Sequence, residues 1–281
     1  MNISFVILCY KTLNEVLECV SYIKKIELSE DINNISIVVV DNFSNDGTYE
    51  RLINLFRDEK NIEVVSTEYN VGFAKGNNLG YSIAKYKFNA DFIICLNSDV
   101  YIEDKLFAVN LLKYYRRYEF DIAGPCILTA DGQYQNPIKN PLINDSQINK
   151  ALIFNKMRYI KTYIPLIENI RKNEVKSERA KTDLENVCLH GACIIYSPRH
   201  IKRFAFAFYP DTFLYAEEDI LFLIVNKFKL KTYYLDSLEV RHLEDCSLKA
   251  VSNSSKKRKR FVISHSIDSL KILKKLRRQI L

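Results

Sequence analysis

Asp91-Phe92-Ile93-Ile94-Cys95-Leu96-Asn97-Ser98-Asp99 is the stretch that decides the fold. Phe92 to Leu96 is a continuous apolar run, as expected for a strand buried on both faces of a parallel sheet. It stops abruptly at Asn97-Ser98-Asp99. In open α/β sheets, ligands sit just beyond the carboxyl ends of the strands. A lone carboxylate there, beside an amide and a hydroxyl, suits a hard divalent cation carrying a diphosphate. Asn, Ser and Asp are also ordinary turn residues, so the meaning of the fragment depends on what surrounds it.

The same pattern recurs upstream. Ile3 to Leu8 reads as a first strand ending at Cys9-Tyr10-Lys11, and Ile35 to Val40 as a second, closed by Asp41-Asn42. Ile62 to Ser66 reads as a third. Between them, Asn14 to Ile26 has apolar residues at helical spacing, and a helix is expected over Tyr49 to Phe56. Gly72 to Gly80 reads as a loop running into a helix through Ala84. Strands alternating with helices predict a mostly parallel sheet flanked by helices. After Gly124-Pro125 the pattern loosens, and Asn144 to Glu185 is charged and mixed. Regular signals return in Val187 to Tyr196, split around Gly191, and in a helix over Glu217 to Phe228. Thr232 to Leu235 and Leu238 to Val240 read as two short strands, and a basic helix follows from about Ser255.

Composition bounds the class. The chain has 281 residues, 48% of them hydrophobic, enough to bury one large α/β core. Only 7 Gly and 6 Pro argue against a disordered or fibrous chain. No apolar run approaches the roughly 18 residues that span a bilayer. The N-terminus lacks a basic region before its apolar segment, so it reads as a strand, not a signal peptide. Seven cysteines without Cys-x-x-Cys spacing suit reduced thiols in a cytoplasmic protein. The net charge of +7 is concentrated in residues 256–281, and the body is near neutral. A basic tail alone is weak evidence for nucleic acid, and none is expected as a partner.

Several motifs carry chemistry. Asp41 can accept hydrogen bonds from a nucleobase or ribose. Asn70 to Gly80 is rich in Gly and Asn, which lets backbone approach a ligand closely. The dinucleotide fingerprint Gly-x-Gly-x-x-Gly is absent, which argues against a nicotinamide or flavin enzyme. Glu217-Glu218-Asp219 sits at an expected helix start, where the dipole favours negative charge. Three crowded acids also make a general-base site, because like charges raise a carboxylate pKa. His242, followed by Glu244 and Asp245, offers an imidazole suited to a divalent transition metal.

In this order, these elements resemble the family 2 glycosyltransferases of the GT-A fold. The likeness is strongest to the bacterial branch that builds O-antigen, capsule and related surface polysaccharides, including rhamnosyltransferase-like members. It runs from Ile3 to about His242. Val39-Val40-Asp41-Asn42, with Ser44 and Asp46-Gly47-Thr48, is similar to the family's nucleotide-binding turn. Asn70, Gly72, Phe73, Gly76 and Asn78 are similar to its second nucleotide-contacting loop. Leu96-Asn97-Ser98-Asp99 resembles its metal motif, and Glu217 to Leu221 its acidic base segment.

The resemblance implies a catalytic domain over residues 1–250, with a nucleotide-sugar half over 1–125 and an acceptor half over 126–250. Residues 251–281 would form an appended basic helix. It implies inverting transfer of a hexosyl or deoxyhexosyl group from a UDP- or dTDP-linked sugar to a glycan hydroxyl, with a lipid-linked acceptor among the expectations. Tyr10, Asp41, Asn42, Asn70, Gly72, Phe73, Gly76, Asn77, Asn97 and Ser98 would bind the nucleotide. Mg2+ or Mn2+ would sit on Asp99 and His242, and Gly191 and Ala192 would wall the acceptor side. By spacing to Leu221, Glu218 matches the family's base, while Glu217 and Asp219 stay candidates.

Two departures stand out. Asn97 falls where many relatives carry Asp, and Ile224 where many carry Arg. An inactive nucleotide-sugar-binding scaffold and a nucleotidyltransferase are the alternatives. The basic helix carries an apolar stripe at Ile263, Ile267, Leu270, Leu273 and Ile280, which suits the inner face of a membrane or packing on the body or a second copy.

Overall fold

The apolar runs become strands because Val, Ile and Phe fill both faces of a pleated layer. The computed structural model describes residues 1–163, 178–243 and 255–280. β1 (Asn2–Cys9), β2 (Asn34–Asp41), β3 (Ile62–Ser66) and β4 (Phe92–Asn97) lie parallel in the order β3-β2-β1-β4. Their register places Cys9 opposite Asp41 and Leu8 opposite Asn97. The turns after β1, β2 and β4 therefore leave the sheet along one rim. This alignment is what brings Tyr10, Asn42 and Ser98-Asp99 to the same side.

The sheet continues as one body. β8 (Cys193–Tyr196) runs antiparallel to β4 and to β6 (Ile122–Thr129), and β9 (Thr232–His242) runs parallel to β6. β5 (Val100–Tyr101) and β7 (Leu184–Glu185) pair antiparallel with β9. The expected boundary between residues 125 and 126 falls inside β6, so the two halves share one sheet.

Helices cover both faces. α1 (Leu13–Ile23) and α4 (Phe107–Tyr118) pack with Phe5, Ile7, Ile37, Val39 and Ile94. α3 (Gly72–Tyr86) packs on the opposite face with Val6, Val38, Val40, Ile93 and Cys95. The odd and even residues of β1 and β2 thus feed two cores. α2 (Thr48–Phe56) precedes β3, and α5 (Asp145–Lys161) opens with a capping box between Asn144 and Gln147. α6 (Pro198–Arg203), α7 (Glu217–Phe228) and α8 (Ser255–Ile280) complete the described elements.

Four expectations change. The Gly72–Gly80 segment is not a loop: it is the first half of α3, because its glycines serve close helix–sheet packing. A Cβ at Gly76 would stand 2.4 Å from Leu8 Cδ1, and one at Gly80 would stand 2.2 Å from Val6 Cγ1. The two short strands near the end merge into β9, since Asp236 to Leu238 bulge out opposite the Pro125/Cys126 register shift. β6 passes through Gly124-Pro125, where local punctuation suggested a break. In Val187 to Tyr196 only Cys193–Tyr196 is a strand.

α8 settles on the body. Leu270, Leu273 and Leu276 are buried against Ile148 of α5 and Ile220 and Ile224 of α7. Of the two expectations for the apolar stripe, a membrane face or packing on the body, Leu270 and Leu273 follow the second. Its charges help: Arg277 pairs with Asp145 at 2.8 Å, and Lys274 donates to Asn149 Oδ1 at 2.6 Å. Among the described residues, no helix is long and apolar enough to cross a membrane. Leu273 is fully buried, so Leu273→Ala should cost about 2–5 kcal/mol. Exposed Lys275→Ala should stay within about 0.5 kcal/mol. Equal urea midpoints for the two variants would mean that α8 is not docked as described.

Candidate active site

At the strand rim lies a cleft of about 580 Å3. Its floor is the end of β4. Asn97, Ser98 and Asp99 line it, and the Ser98 hydroxyl is paired with Thr12 Oγ1 at 2.9 Å. The pairing of Val100 with His242 then sets the key contact. Leu243 N donates to Asp99 O at 3.0 Å, which lays the end of β9 along the turn. His242 Nε2 consequently stands 3.3 Å from Asp99 Oδ1, both residues being nearly buried.

The other ring nitrogen of His242 is held by a residue that sequence reading missed. His242 Nδ1 donates to Gln135 Oε1 at 2.7 Å. With Nδ1 engaged there, Nε2 is the nitrogen that faces the carboxylate. A carboxylate oxygen and an imidazole lone pair side by side, with the imidazole fixed by an outer hydrogen bond, form a donor set that fits Mn2+ or Mg2+. No group of three or more His, Cys, Asp or Glu with metal-binding placement occurs among the described residues. Two protein donors leave positions for diphosphate oxygens and water, as such ions require when they carry a substrate.

The three consecutive acids are separated by their positions on α7. Tyr215 and Ala216, with φ of 72° and 62°, form a left-handed turn just before the helix. Such strain in non-glycine residues is retained where it presents a site. Glu218 points into the cleft, and its Oε1 accepts from Gly191 N at 3.1 Å. A Cβ at Gly191 would lie 2.9 Å from the same oxygen, so glycine at this position gives the carboxylate its seat.

Asp219 turns away from the cleft. It accepts from Leu142 N at 2.7 Å and ties the 137–143 segment to α7. Burial pushes its pKa up to about 6, against the lowering effect of that bond. Its expected catalytic candidacy is corrected to this anchoring contact. Glu217 also lines the cleft but is buried, and Oε1 has no hydrogen-bond partner. Burial, reinforced by Glu218, pushes its pKa up to about 8.

The nucleotide-side candidates divide. Tyr10, Asn42, Asn70, Gly72 and Phe73 line the cleft. Asn42 and Asn70 are already committed to each other: Asn42 Nδ2 donates to Asn70 Oδ1 at 3.0 Å. Asn42 Oδ1 accepts from Val71 N at 2.9 Å. Together they clamp the end of β2 to the start of α3. Gly76 and Asn77 stand back from the cleft. Gly76 packs on Leu8, and Asn77 donates within α3 to Phe73 O at 3.0 Å.

Asp41 edges a neighbouring hollow shared with Asn45, Tyr49 and Thr67. Its carboxylate accepts from Ser44 N at 3.1 Å and from the Ser44 hydroxyl. Burial raises its pKa despite those bonds. Asp41 and Asp99 thus sit on one rim but in adjoining depressions.

The opposite wall holds the remaining unpredicted residues. His190 lines the cleft, with Ala192 N donating to its Nδ1 at 3.2 Å. Burial lowers its pKa, so the ring is held neutral with the proton on Nε2. Its only local signal was its place before Gly191-Ala192. Phe213, Leu214 and Tyr215 line the cleft from the loop before α7. Phe261 reaches it from α8, edge-on to His265, which in turn stacks on Phe213. Nothing local in a basic helix marks Phe261 for this place. Glu244 and Asp245 lie outside the described residues.

Comparison with known proteins settles the family. Residues 4–175 match the family described as Glycosyl transferase family 2. The chain belongs to that family. It is therefore a glycosyltransferase, with the mixed α/β GT-A architecture that the motifs implied. No curated protein matches it. Among solved structures, this family 2 chain is similar to S. aureus TarS residues 1–349, at 15% identity and a TM-score of 0.56. That likeness covers 96% of this chain and 71% of TarS 1–349. The TarS 1–349 complex with UDP-GlcNAc matches at 14% identity and a TM-score of 0.56, with 96% and 72% covered. The complex with UDP matches at 14% and 0.55, with 95% and 71% covered. Likeness at such identity is a likeness of fold. Ile224, which the resemblance placed at an expected arginine position, packs against α8 in this family member.

Proposed function

We propose that this glycosyltransferase moves a sugar from a nucleoside diphosphate to a hydroxyl of an acceptor glycan, with inversion and with help from Mg2+ or Mn2+. The observation that carries the reading is the shared cleft: the Asp99–His242 pair and the Glu218 carboxylate face one space. Direct displacement has two requirements. The acceptor hydroxyl must shed its proton, and the departing diphosphate must have its growing charge neutralised.

Glu218 serves the first. Gly191 N fixes one of its oxygens, leaving the other to receive the proton. General base action of this kind is worth about 10²–10⁴-fold. Asp99 and His242 serve the second by holding the cation, which when bound supplies Lewis-acid neutralisation. Asn97, being neutral, adds no charge to that donor set. Asn42 and Asn70 keep the β2–α3 junction shaped for the nucleoside. The UDP and UDP-GlcNAc complexes of TarS favour a uridine nucleotide here. A lipid-linked surface-polysaccharide precursor is the acceptor class that accords with the bacterial branch the motifs resemble.

A panel of UDP- and dTDP-sugars, scanned by thermal shift with and without Mn2+, tests the donor half. A binding sugar nucleotide should raise Tm more with Mn2+ than without, because ligands stabilise by mass action. Asp99→Ala should lose the Mn2+-dependent increment. An increment that survives in Asp99→Ala would remove Asp99 from cation binding. Release of free nucleoside diphosphate only when acceptor is added separates an enzyme from an inactive scaffold.

A further inference from the structure

Glu217 lines the cleft, and the proposed mechanism leaves its polar atoms idle. It is 5% exposed, yet it lines the cleft beside the base. Its Oε1 is buried with no hydrogen-bond partner. An orphaned carboxyl oxygen in a protein interior is costly. A molecule bound in the cleft would supply the missing partner.

The surroundings restrict what that molecule is. Phe213, Leu214 and Phe261 give this part of the cleft an apolar wall. Flat apolar side chains suit the C–H face of a sugar ring, while the ring hydroxyls need polar partners. A second negative carboxylate beside Glu218 would repel a diphosphate and waste the base. A neutral acid at the same place would not repel it, and its O–H can donate.

We propose that Glu217 is a neutral carboxylic acid whose O–H donates a hydrogen bond to a hydroxyl of the sugar bound next to Glu218. This deepens the glycosyltransferase reading and rests on it. Burial supports the assignment, because it pushes this carboxyl up to about 8. The groups acting on it are Glu218 and Asp219 of α7 and the Thr212 hydroxyl of the preceding loop. The other titratable groups lining the cleft are Tyr10, Asp99, His190, Tyr215 and His242, and α8 adds His265 behind Phe213. In the working range the proton stays on Glu217, while Glu218 alone accepts the acceptor's proton. No other proton transfer is required.

Two readouts test it. The first needs no substrate: the infrared difference between wild type and Glu217→Gln, taken from pH 5 to 10. A protonated carboxyl band present at pH 6.5 and lost around pH 8 is expected. A carboxylate band already present at pH 6.5 overturns the proposal. The second is release of UDP or dTDP from whichever sugar nucleotide the thermal scan identifies.

Glu217→Ala should lower kcat/KM ten- to a hundredfold. Glu217→Gln keeps a donor and should recover at least half of that loss on a logarithmic scale. The wild-type rate should fall above about pH 8, and the fall should be absent in Glu217→Gln. Equal pH profiles, or Gln no better than Ala, overturn the donor role. If wild type consumes no sugar nucleotide, the function reading fails instead, and the infrared titration still decides the state of Glu217.

Discussion

Glu218→Gln should lose about 10²–10⁴-fold in kcat while binding its sugar nucleotide as wild type does. Glutamine matches glutamate in size, and its amide oxygen can still accept from Gly191 N, the bond seen at 3.1 Å. The seat at Gly191 and the start of α7 should therefore be undisturbed. What is lost is the ability to take a proton. The damage should appear in kcat and not in calorimetric donor affinity, because the residues proposed for the cation and nucleotide lie at the ends of β2, β4 and β9 and not on α7. A variant with near-normal kcat would end the assignment of Glu218 as base. A variant with equally weakened donor binding would mean that Glu218 shapes the donor site. Neither Glu217 nor Asp219 should reproduce the pattern. The first has its oxygen buried, and the second is occupied by Leu142 N.

The second large effect is on stability. Gly72 adopts φ of +84°, and a Cβ there would stand 2.4 Å from Phe213 O and 2.8 Å from Phe213 Cα. Both are backbone atoms and cannot rotate aside. The same carbonyl accepts from Phe73 N at 2.7 Å, so the loop before α7 is pinned to the start of α3. Gly72→Ala adds left-handed strain and forces that junction apart, at a combined cost of about 2–5 kcal/mol. Gly47 is the control. Its φ is +85°, but nothing lies within 4 Å of its Cβ position, so Gly47→Ala should show strain alone, about 1 kcal/mol. Equal denaturant midpoints would refute the clash. Because Phe213, Leu214 and Tyr215 line the cleft from that loop, Gly72→Ala should also weaken donor binding, and Gly47→Ala should not.

Much of this was legible locally. Apolar runs identified β1, β2 and β4, since burial on both faces leaves no alternation. The abrupt polar stops marked the rim on which Tyr10, Asn42, Asn97 and Asp99 emerge. Helix periodicity found α1 and α8, while polar residues at the helix starts pointed to α2 and α7. Where local punctuation served packing, the reading failed. Gly76 and Gly80 looked like ligand-loop glycines but are small so that α3 can lie on Leu8 and Val6. Gly124-Pro125 looked like a break but lies within β6.

Local pattern in the chain determined the family, the parallel half of the sheet and the residues at its carboxyl rim, because those signals are carried by neighbours within a few positions. Tertiary structure alone decided which of them meet. The β5–β9 register sets His242 against Asp99. Gln135, from a turn-rich stretch, turns that imidazole. The start of α7 divides three adjacent acids among cleft, interior and loop anchor, and a basic terminal helix supplies Phe261 to the wall. Strand register and helix docking depend on contacts between distant segments, whose free energies no single stretch of sequence contains.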